Sequence, residues 1–361
     1  MLAGGQTTNC NYYEGVFAII PNQDMMIYPF PAEKITMRMR QVLKTENRDI
    51  DDLFVYMLEA SGKMIRPRLV YLTASLYSHN PEVVRDMAVA VELIHLASLV
   101  HDDVIDNALV RRGKESINSR WGNKVSVLSG DYLFATAFNL INQHQLEQVM
   151  ETITQTIKIM CIGEIKQLSM AFKTDISEED YFEKTYKKTA CLFASSCKIG
   201  ALVSTMPREE VSILEQYGLY LGYAYQIIDD VLDFESDVSL IGKPVGNDLA
   251  EGNITLPIIF ALNDPVYGAQ LKECLSGPCI TPVVMSKVLQ ILKDSGSLKK
   301  AVESSKSFIE AGLKLLNGLS SRPGINALRS VSSYLLSNYY QKVSHFSSIQ
   351  QEANECQLLH H

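Results

Sequence analysis

Apolar residues recur every three or four positions over most of this chain. The spacing predicts amphipathic helices at Asp86–Ser98, Ser129–Ile141, Leu146–Leu168 and Val211–Leu232. Segments that contain proline or glycine separate these stretches and predict helix ends, as at Pro81, Pro207 and Pro323. No alternating strand and no Asn-Gly hairpin is visible. The pattern therefore predicts an all-α fold.

The same pattern predicts the domain organisation. Residues 34–343 contain no Gly-, Ser- or Pro-rich linker, so we expect one helical domain there. Residues 1–33 are interrupted by paired glycines and several prolines, which predicts an irregular N-terminal arm. The polar residues 344–361 are expected to form a C-terminal tail.

Composition and charge narrow the class of protein. With 47% hydrophobic and 20% charged residues, the chain has enough apolar surface to fold. A formal net charge of −8 argues against nucleic acid or an anionic membrane as partner, and no apolar run is long enough for a transmembrane segment. The seven cysteines are scattered, so we expect reduced thiols rather than zinc or disulfides. No secretory signal is visible, so we expect a cytoplasmic protein, with organelle targeting by the arm left open.

Two identical acidic motifs carry the strongest chemical signal. They spell DDxxD and consist of Asp102, Asp103 and Asp106, and of Asp229, Asp230 and Asp233. The first and last carboxylates of a motif lie one helical turn apart, where their repulsion costs about 3–4 kcal/mol at an effective dielectric of ~20. Both motifs follow apolar helical runs, which argues against a solvated acidic helix face. Oxygen ligands without His or Cys favour Mg²⁺, and two facing motifs would hold a diphosphate leaving group.

Basic residues near the first motif suggest a second anion site. Lys63 and Arg66 are three residues apart, and Arg111 and Arg112 follow the first motif closely. Arginine forks suit phosphate oxygens, although each pair alone is also typical of surface ion pairs. His95 lies two turns before Asp102, where it is either a core histidine or a phosphate contact.

Taken together, these motifs resemble the trans (head-to-tail) isoprenyl diphosphate synthases, also called polyprenyl diphosphate synthases. The resemblance runs from about Gly62 to Ala261 and weakly to about Tyr340. Besides the acidic motifs, it is carried by Gly62–Pro67, Gly130–Tyr132, Gly163–Gln167, Lys188–Ala190, Tyr225–Asp230, Gly242–Pro244 and Gly252–Pro257. The medium- and long-chain branch, with heptaprenyl and solanesyl diphosphate synthases, is most similar.

What the resemblance implies is a single-domain helical bundle around a deep central cavity. It also implies a prenyltransferase that joins isopentenyl diphosphate to an allylic diphosphate such as farnesyl diphosphate. The six motif aspartates would hold about three Mg²⁺ ions. Isopentenyl diphosphate would bind Lys63, Arg66, His95 and Arg112. The allylic diphosphate would contact Arg111, Lys188 and Lys243. Thr189 and Gln226 would line the cavity near the developing charge and are counted as catalytic residues together with Lys188 and Lys243. Gln167 is a weaker candidate for the same cavity wall.

The product length is predicted from three residues of the helix that precedes the first motif. Ile94, Ala97 and Ser98 should face down the cavity, where small Ala97 and Ser98 leave room for a growing chain. Because these small residues lie one helical turn before the motif, where they would leave the cavity open, we expect a product of about C30 to C50. Such a product would serve as a quinone side chain.

The alternatives are a short-chain synthase, a non-catalytic subunit of a heteromeric synthase, and a class I terpene cyclase. The complete second motif and intact basic residues argue against the last two. A homodimer is expected, and a heteromer with a small dissimilar subunit is the other possibility.

Overall fold

The computed structural model describes residues 30–59, 62–170, 173–235, 245–277, 279–319, 321–322 and 324–340. The first helices are α1 (Ala32–Leu43), α2 (Arg48–Glu59), α3 (Ile65–Ala74), α4 (Pro81–Ile105), α5 (Ile117–Trp121), α6 (Asn123–Gln143), α7 (Glu147–Met170), α8 (Glu178–Thr185), α9 (Cys191–Leu202) and α10 (Arg208–Glu235). The later helices are α11 (Asn247–Ala250), α12 (Leu256–Leu262), α13 (Gly268–Leu275), α14 (Pro282–Asp294), α15 (Ser297–Leu316) and α16 (325–340). The all-α prediction is confirmed.

Each of the four stretches with helical periodicity is helical in the structure. The longest are α4, α7 and α10, and their boundaries follow local chemistry. The Asn80 side chain accepts a hydrogen bond from the backbone N–H of Glu82, and Pro81 occupies the first helical position. Proline also precedes α10, which begins one residue after Pro207. The starts of α4 and α10 are therefore marked by signals within the sequence.

Buried apolar residues form two clusters that position the acidic motifs. One surrounds α10, where Tyr217 and Leu221 lie among residues of α9, α12 and α15. The other surrounds α4, where Leu93 lies among residues of α1, α2 and α6. The helix α3 contacts both α4 and α9 and so joins the two clusters. The acidic motifs lie at the C-terminal ends of α4 and α10, where each apolar helix becomes polar.

A small β-hairpin, which the sequence pattern did not predict, follows α4. Strands β1 (Val110–Arg111) and β2 (Lys114–Glu115) pair in antiparallel fashion. The two loop residues, Arg112 and Gly113, have φ angles of 53° and 75°, the left-handed conformations that a tight two-residue turn requires. Strands of two residues are too short to show alternation, so the sequence pattern did not reveal them.

Two further expectations concern the ends and the cysteines. Most of the arm 1–33 and the tail 344–361 lie outside the described residues, so those boundaries stay predictions. The five cysteines within the described ranges are free thiols. Over the same ranges, none of the helices combines the length and the apolar character that crossing a bilayer requires.

Candidate active site

The first acidic motif forms the last turn of α4, and its three carboxylates have different surroundings. Asp103 is 2% exposed and accepts hydrogen bonds from Arg111 Nε at 2.7 and 2.8 Å. The hairpin aims Arg111 back at this carboxylate, and Asn118 ties the segment down by donating to the carbonyl oxygen of Asp103. Asp106 is exposed and Asp102 is half-buried. Asp102 and Asp106 are therefore the carboxylates of this motif that face outward.

The second motif, near the end of α10, is arranged in a similar way. Asp230 is 2% exposed and accepts hydrogen bonds from the Tyr181 phenol at 2.6 Å and from Gln226 Nε2 at 2.8 Å. Asp233 accepts a hydrogen bond from the backbone N–H of Asp248 at 3.1 Å. Asp229 is exposed. Each motif thus has a buried carboxylate that is held by neighbouring protein groups and at least one that is accessible.

The carboxylates lie where ionisation is costly. Burial, together with Glu164 and Asp106, raises the pKa of Asp102 to about 7, although Lys188 opposes the shift. Burial and the charge of Asp248 raise the pKa of Asp230 to about 7, and the same two causes act on Asp233. Carboxylates in such surroundings are stabilised by a nearby cation.

A divalent metal fits the oxygen donors of this site. Both motifs provide only carboxylate oxygens, the ligands that Mg²⁺ prefers. Within the described ranges, no three His, Cys, Asp or Glu side chains converge closely enough to hold an ion by themselves. Mg²⁺ sites for phosphates generally include oxygen atoms of the bound substrate, and ions at these motifs would be shared in the same way.

A π-helical turn, Tyr186–Ala190, lies between the two motifs and carries two of the candidate residues. Lys188 Nζ lies 3.2 Å from Gln167 Oε1 and 3.4 Å from Glu164 Oε2. Burial would lower the pKa of Lys188, but Glu164 and Asp102 outweigh it and raise the pKa, so the ammonium group stays charged. Single π-helical turns within α-helices are frequent at functional sites.

The same turn reaches the second motif through a short hydrogen-bond chain. Thr189 Oγ1 donates to Gln226 Oε1 at 2.6 Å, and Gln226 donates in turn to Asp230. This chain fixes the orientation of the Gln226 amide, because its oxygen accepts and its nitrogen donates. Lys188 faces the first motif and Thr189 faces the second, so the turn connects the two.

Arg66, His95 and Arg112 form the predicted basic site. Arg66 Nη1 lies 3.1 Å from His95 Nε2, and its guanidinium group lies 4.8 Å above the Phe193 ring. Burial and then the charges of Arg66 and Arg112 hold the pKa of His95 well below its usual value. His95 is therefore neutral and accepts the hydrogen bond, since arginine can only donate.

Gly62 brings the hairpin up to this basic site. A Cβ atom at Gly62 would lie 2.7 Å from Arg112 Nη2, so only glycine allows the guanidinium group to approach this closely. Lys63 follows directly and extends toward α16, where its Nζ lies 2.9 Å from Asn338 Oδ1. Arg66, His95 and Arg112 thus lie close together near the start of α3, and Lys63 lies in the loop that precedes this helix.

The structure describes the three residues predicted to set the chain length, but it does not describe Lys243. Ile94 and Ala97 are fully buried in the α4 cluster, and the Ser98 hydroxyl donates to the carbonyl oxygen of His95. Lys243 lies outside the described residues.

Several polar residues of the site were missed by reading the sequence. Glu164 lies beside Lys188, Asp248 and Tyr181 contact the second motif, and Glu92 is a buried carboxylate near Arg66 and Arg112. The glycine-containing segments around Glu164 and Asp248 were a usable signal. Tyr181 and Glu92 had none, because an aromatic or acidic residue in a helix is usually structural or solvated.

Comparison with known proteins gives a consistent result. The family model described as polyprenyl synthetase matches residues 47–292. Heptaprenyl diphosphate synthase component 2 of Geobacillus stearothermophilus is 35% identical over 297 residues, which cover 82% of this chain and 92% of that protein. The chloroplastic solanesyl diphosphate synthase 2 of Arabidopsis thaliana is 38% identical over 80% of this chain and 70% of its own length.

Solved structures share the fold. Heptaprenyl diphosphate synthase from Staphylococcus aureus superimposes with a TM-score of 0.80 at 30% identity, over 89% of this chain and 99% of that one. A polyprenyl synthase from Caulobacter crescentus, complexed with calcium and isoprenyl diphosphate, has a TM-score of 0.78 at 28% identity, over 85% and 94% of the two chains.

Proposed function

The chain belongs to the polyprenyl synthetase family of trans-prenyltransferases, and we propose that it condenses isopentenyl diphosphate with an allylic diphosphate into a long polyprenyl diphosphate. The observation that carries the proposal is the position of Lys188 and Thr189, on one π-helical turn between the two acidic motifs. In this proposal, the charged ammonium group of Lys188 and the polar side chain of Thr189 would face the diphosphate that leaves.

The six motif aspartates divide into two groups in this proposal. Asp102, Asp106 and Asp229 would bind about three Mg²⁺ together with substrate oxygens. Asp103, Asp230 and Asp233 are engaged by Arg111, Tyr181 and the backbone of Asp248, and would hold the outer carboxylates in place. Bound Mg²⁺ would stabilise the negative charge that develops on the leaving diphosphate. The calcium in the Caulobacter crescentus relative is consistent with a divalent metal beside a diphosphate.

The protein side chains orient and stabilise the reacting groups. Lys188, with Arg111 and Lys243, would bind the allylic diphosphate, whose C–O bond breaks. The oxygens of Thr189 and Gln226, which are joined by a hydrogen bond, would lie near the allylic carbon on which positive charge develops. The double bond of isopentenyl diphosphate, held by the basic site, forms the new C–C bond. The proton that is lost goes to the departing diphosphate, so no protein base is needed.

A long product, about C30 to C50, is supported by two observations. Ala97 and Ser98 are small and lie one turn before the first motif, on the helix that would line the chain tunnel. Several similar proteins are named for heptaprenyl or solanesyl products. A quinone side chain is the proposed use of such a product, and the cytoplasm is the proposed compartment.

A homodimer is the proposed assembly. Apolar side chains are exposed at helical spacing on α6 and α7, with Leu128 68% and Ile165 69% exposed, and further exposed residues are Val127, Tyr132, Ile162 and Leu168. Two neighbouring helices with such faces are typical of an interface. A small dissimilar subunit on the same face is the alternative, because two relatives are named component 2.

The decisive experiment uses the purified chain with Mg²⁺, farnesyl diphosphate and labelled isopentenyl diphosphate. We expect extraction and sizing to show a polyprenyl product. No turnover by the chain alone, with recovery on adding a second protein, would establish a heteromer. Product no longer than C20 would contradict the long-chain proposal, and substrate binding without turnover would favour a regulatory subunit. The proposed dimer interface on α6 and α7 is tested by measuring molecular mass by light scattering. We expect a dimer for the wild type and a monomer for Leu128→Glu.

A further inference from the structure

The C-terminal helix α16 contacts Lys63, one of the predicted isopentenyl diphosphate ligands, from the far end of the chain. Lys63 Nζ donates a 2.9 Å hydrogen bond to Asn338 Oδ1, and the same ammonium group lies 5.1 Å from the centroid of the Tyr334 ring. Tyr334 and Asn338 are four residues apart and so lie on one face of the helix. Lys63 is thus held by two side chains that follow it by more than 270 residues.

The helix that holds Lys63 is itself attached firmly to α10. The Tyr217 phenol donates to the carbonyl oxygen of Leu328 at 2.7 Å, and the Tyr339 phenol donates to Glu235 at 2.7 Å. Leu328, Leu335 and Leu336 are buried in the cluster that surrounds α10. Tyr334 and Asn338 therefore project from a fixed support rather than from a loosely packed end.

A lysine held in this way loses less freedom when it binds a phosphate. Lysine carries a flexible four-carbon stem, and ordering it costs rotamer entropy. An amide oxygen and an aromatic ring are neutral, so they orient the ammonium group without cancelling its charge. Since an ammonium group has three N–H donors, two remain to reach phosphate oxygens while one bonds to Asn338.

We propose that Asn338 and Tyr334 are positioning residues for isopentenyl diphosphate, which act by holding the Lys63 ammonium group in place. This inference rests on the proposed function, which makes Lys63 a ligand of that substrate. It adds α16 to the site and makes the affinity for isopentenyl diphosphate depend on the C-terminal helix.

The first test is Asn338→Ala, compared with Asn326→Ala on the exposed side of the same helix. We expect the KM for isopentenyl diphosphate to rise about three- to tenfold, the range that one net hydrogen bond is worth. The KM for farnesyl diphosphate should stay within twofold of the wild-type value, as should both KM values of Asn326→Ala. An unchanged or lower KM for isopentenyl diphosphate in Asn338→Ala would overturn the proposal.

A double-mutant cycle separates positioning from a general effect on folding. If Asn338 acts through Lys63, adding Asn338→Ala to the Lys63→Gln variant should cause no further rise in the KM for isopentenyl diphosphate. A further rise of the same size would show that the two residues act independently. Asn338→Asp should weaken binding by on the order of tenfold or more, because a carboxylate would pair with the ammonium group. Tighter binding by that variant would contradict the proposal.

Tyr334 has its own matched pair of variants. Tyr334→Phe keeps the ring face and should behave like the wild type, whereas Tyr334→Leu should raise the KM for isopentenyl diphosphate. Equal effects of the two variants would remove Tyr334 from the proposal. Calorimetric Kd values for isopentenyl diphosphate, measured on all variants, keep the test valid even if the wild type shows no turnover. Absence of turnover would contradict the proposed function, while the Kd values would still decide the role of α16.

Discussion

Gly130 on α6 lies directly against the imidazole ring of His101 on α4. A Cβ atom at Gly130 would overlap His101 Nε2 and Cδ2. The ring is also held by the carbonyl oxygen of Val127, which lies 3.1 Å from Nε2. His101 immediately precedes Asp102, so the contact fixes the end of α4 where the first acidic motif begins.

Gly130→Ala should therefore impair the first motif. We expect a loss of stability of about 1–3 kcal/mol from overpacking. A fall in kcat/KM on the order of tenfold or more should accompany it, because small displacements of reacting groups are costly. Gly318→Ala is the control, since no atom beyond the two neighbouring residues lies within 4 Å of a Cβ there. Steady-state kinetics and thermal unfolding check the prediction, and full activity of Gly130→Ala would contradict it.

Tyr181→Phe should weaken metal binding as well as stability. Removing the phenol leaves the buried Asp230 carboxylate with one partner fewer, at a cost of about 1–3 kcal/mol. Tyr217→Phe is a matched control, because that phenol is equally buried but bonds to Leu328 and Ser332 on α16. Both variants should lower Tm, but only Tyr181→Phe should raise the Mg²⁺ concentration needed for half-maximal activity. A similar Mg²⁺ requirement in the two variants would count against a role for Tyr181 at the second motif.

The stability of the metal-free protein should depend on pH. The pKa values of Asp102, Asp230 and Asp233 are about 7 in the folded protein, whereas the ordinary value for an aspartate is 3.8. Groups with a raised folded pKa favour folding at low pH, and this contribution is lost as pH rises through about 7. Without Mg²⁺, Tm should fall between pH 6 and pH 8. Mg²⁺ should raise Tm more at pH 8, where the carboxylates are ionised.

Thermal scans with EDTA and with Mg²⁺ at the two pH values measure this difference. Equal stabilisation by Mg²⁺ at pH 6 and pH 8 would contradict the assignment of Asp102 to the metal site and of Asp230 and Asp233 to its support.

Ser98→Phe should shorten the product. A ring one turn before the first motif would block the path of the growing chain, so the main product should lose one or more five-carbon units. Ser98→Ala keeps the side chain small and should leave the product length unchanged. Ala97 is a poorer site for this test because it is fully buried, and a large residue there would overpack the core. Mass spectrometry of the extracted products decides, and an unchanged distribution with Ser98→Phe would remove Ser98 from the chain tunnel.

The sequence revealed much of the site because its signals are local. Asp102 and Asp106 are four residues apart, as are Asp229 and Asp233, so helical geometry alone places each pair on one face. The hairpin at Arg112 and the π-helical turn at Lys188 had no comparable signal. Each depends on how a few residues are held by neighbouring helices.

The sequence by itself determined the all-α fold, the long helices and the motifs that identify the family, since these depend on periodicity and on residues close together in the chain. Only the tertiary structure decided which aspartates are accessible, because Asp103 and Asp230 are engaged by residues from other elements. It also brought Asn338 to Lys63, 275 positions away. The physical reason is that packing of buried faces, rather than local backbone preference, selects contacts between distant residues.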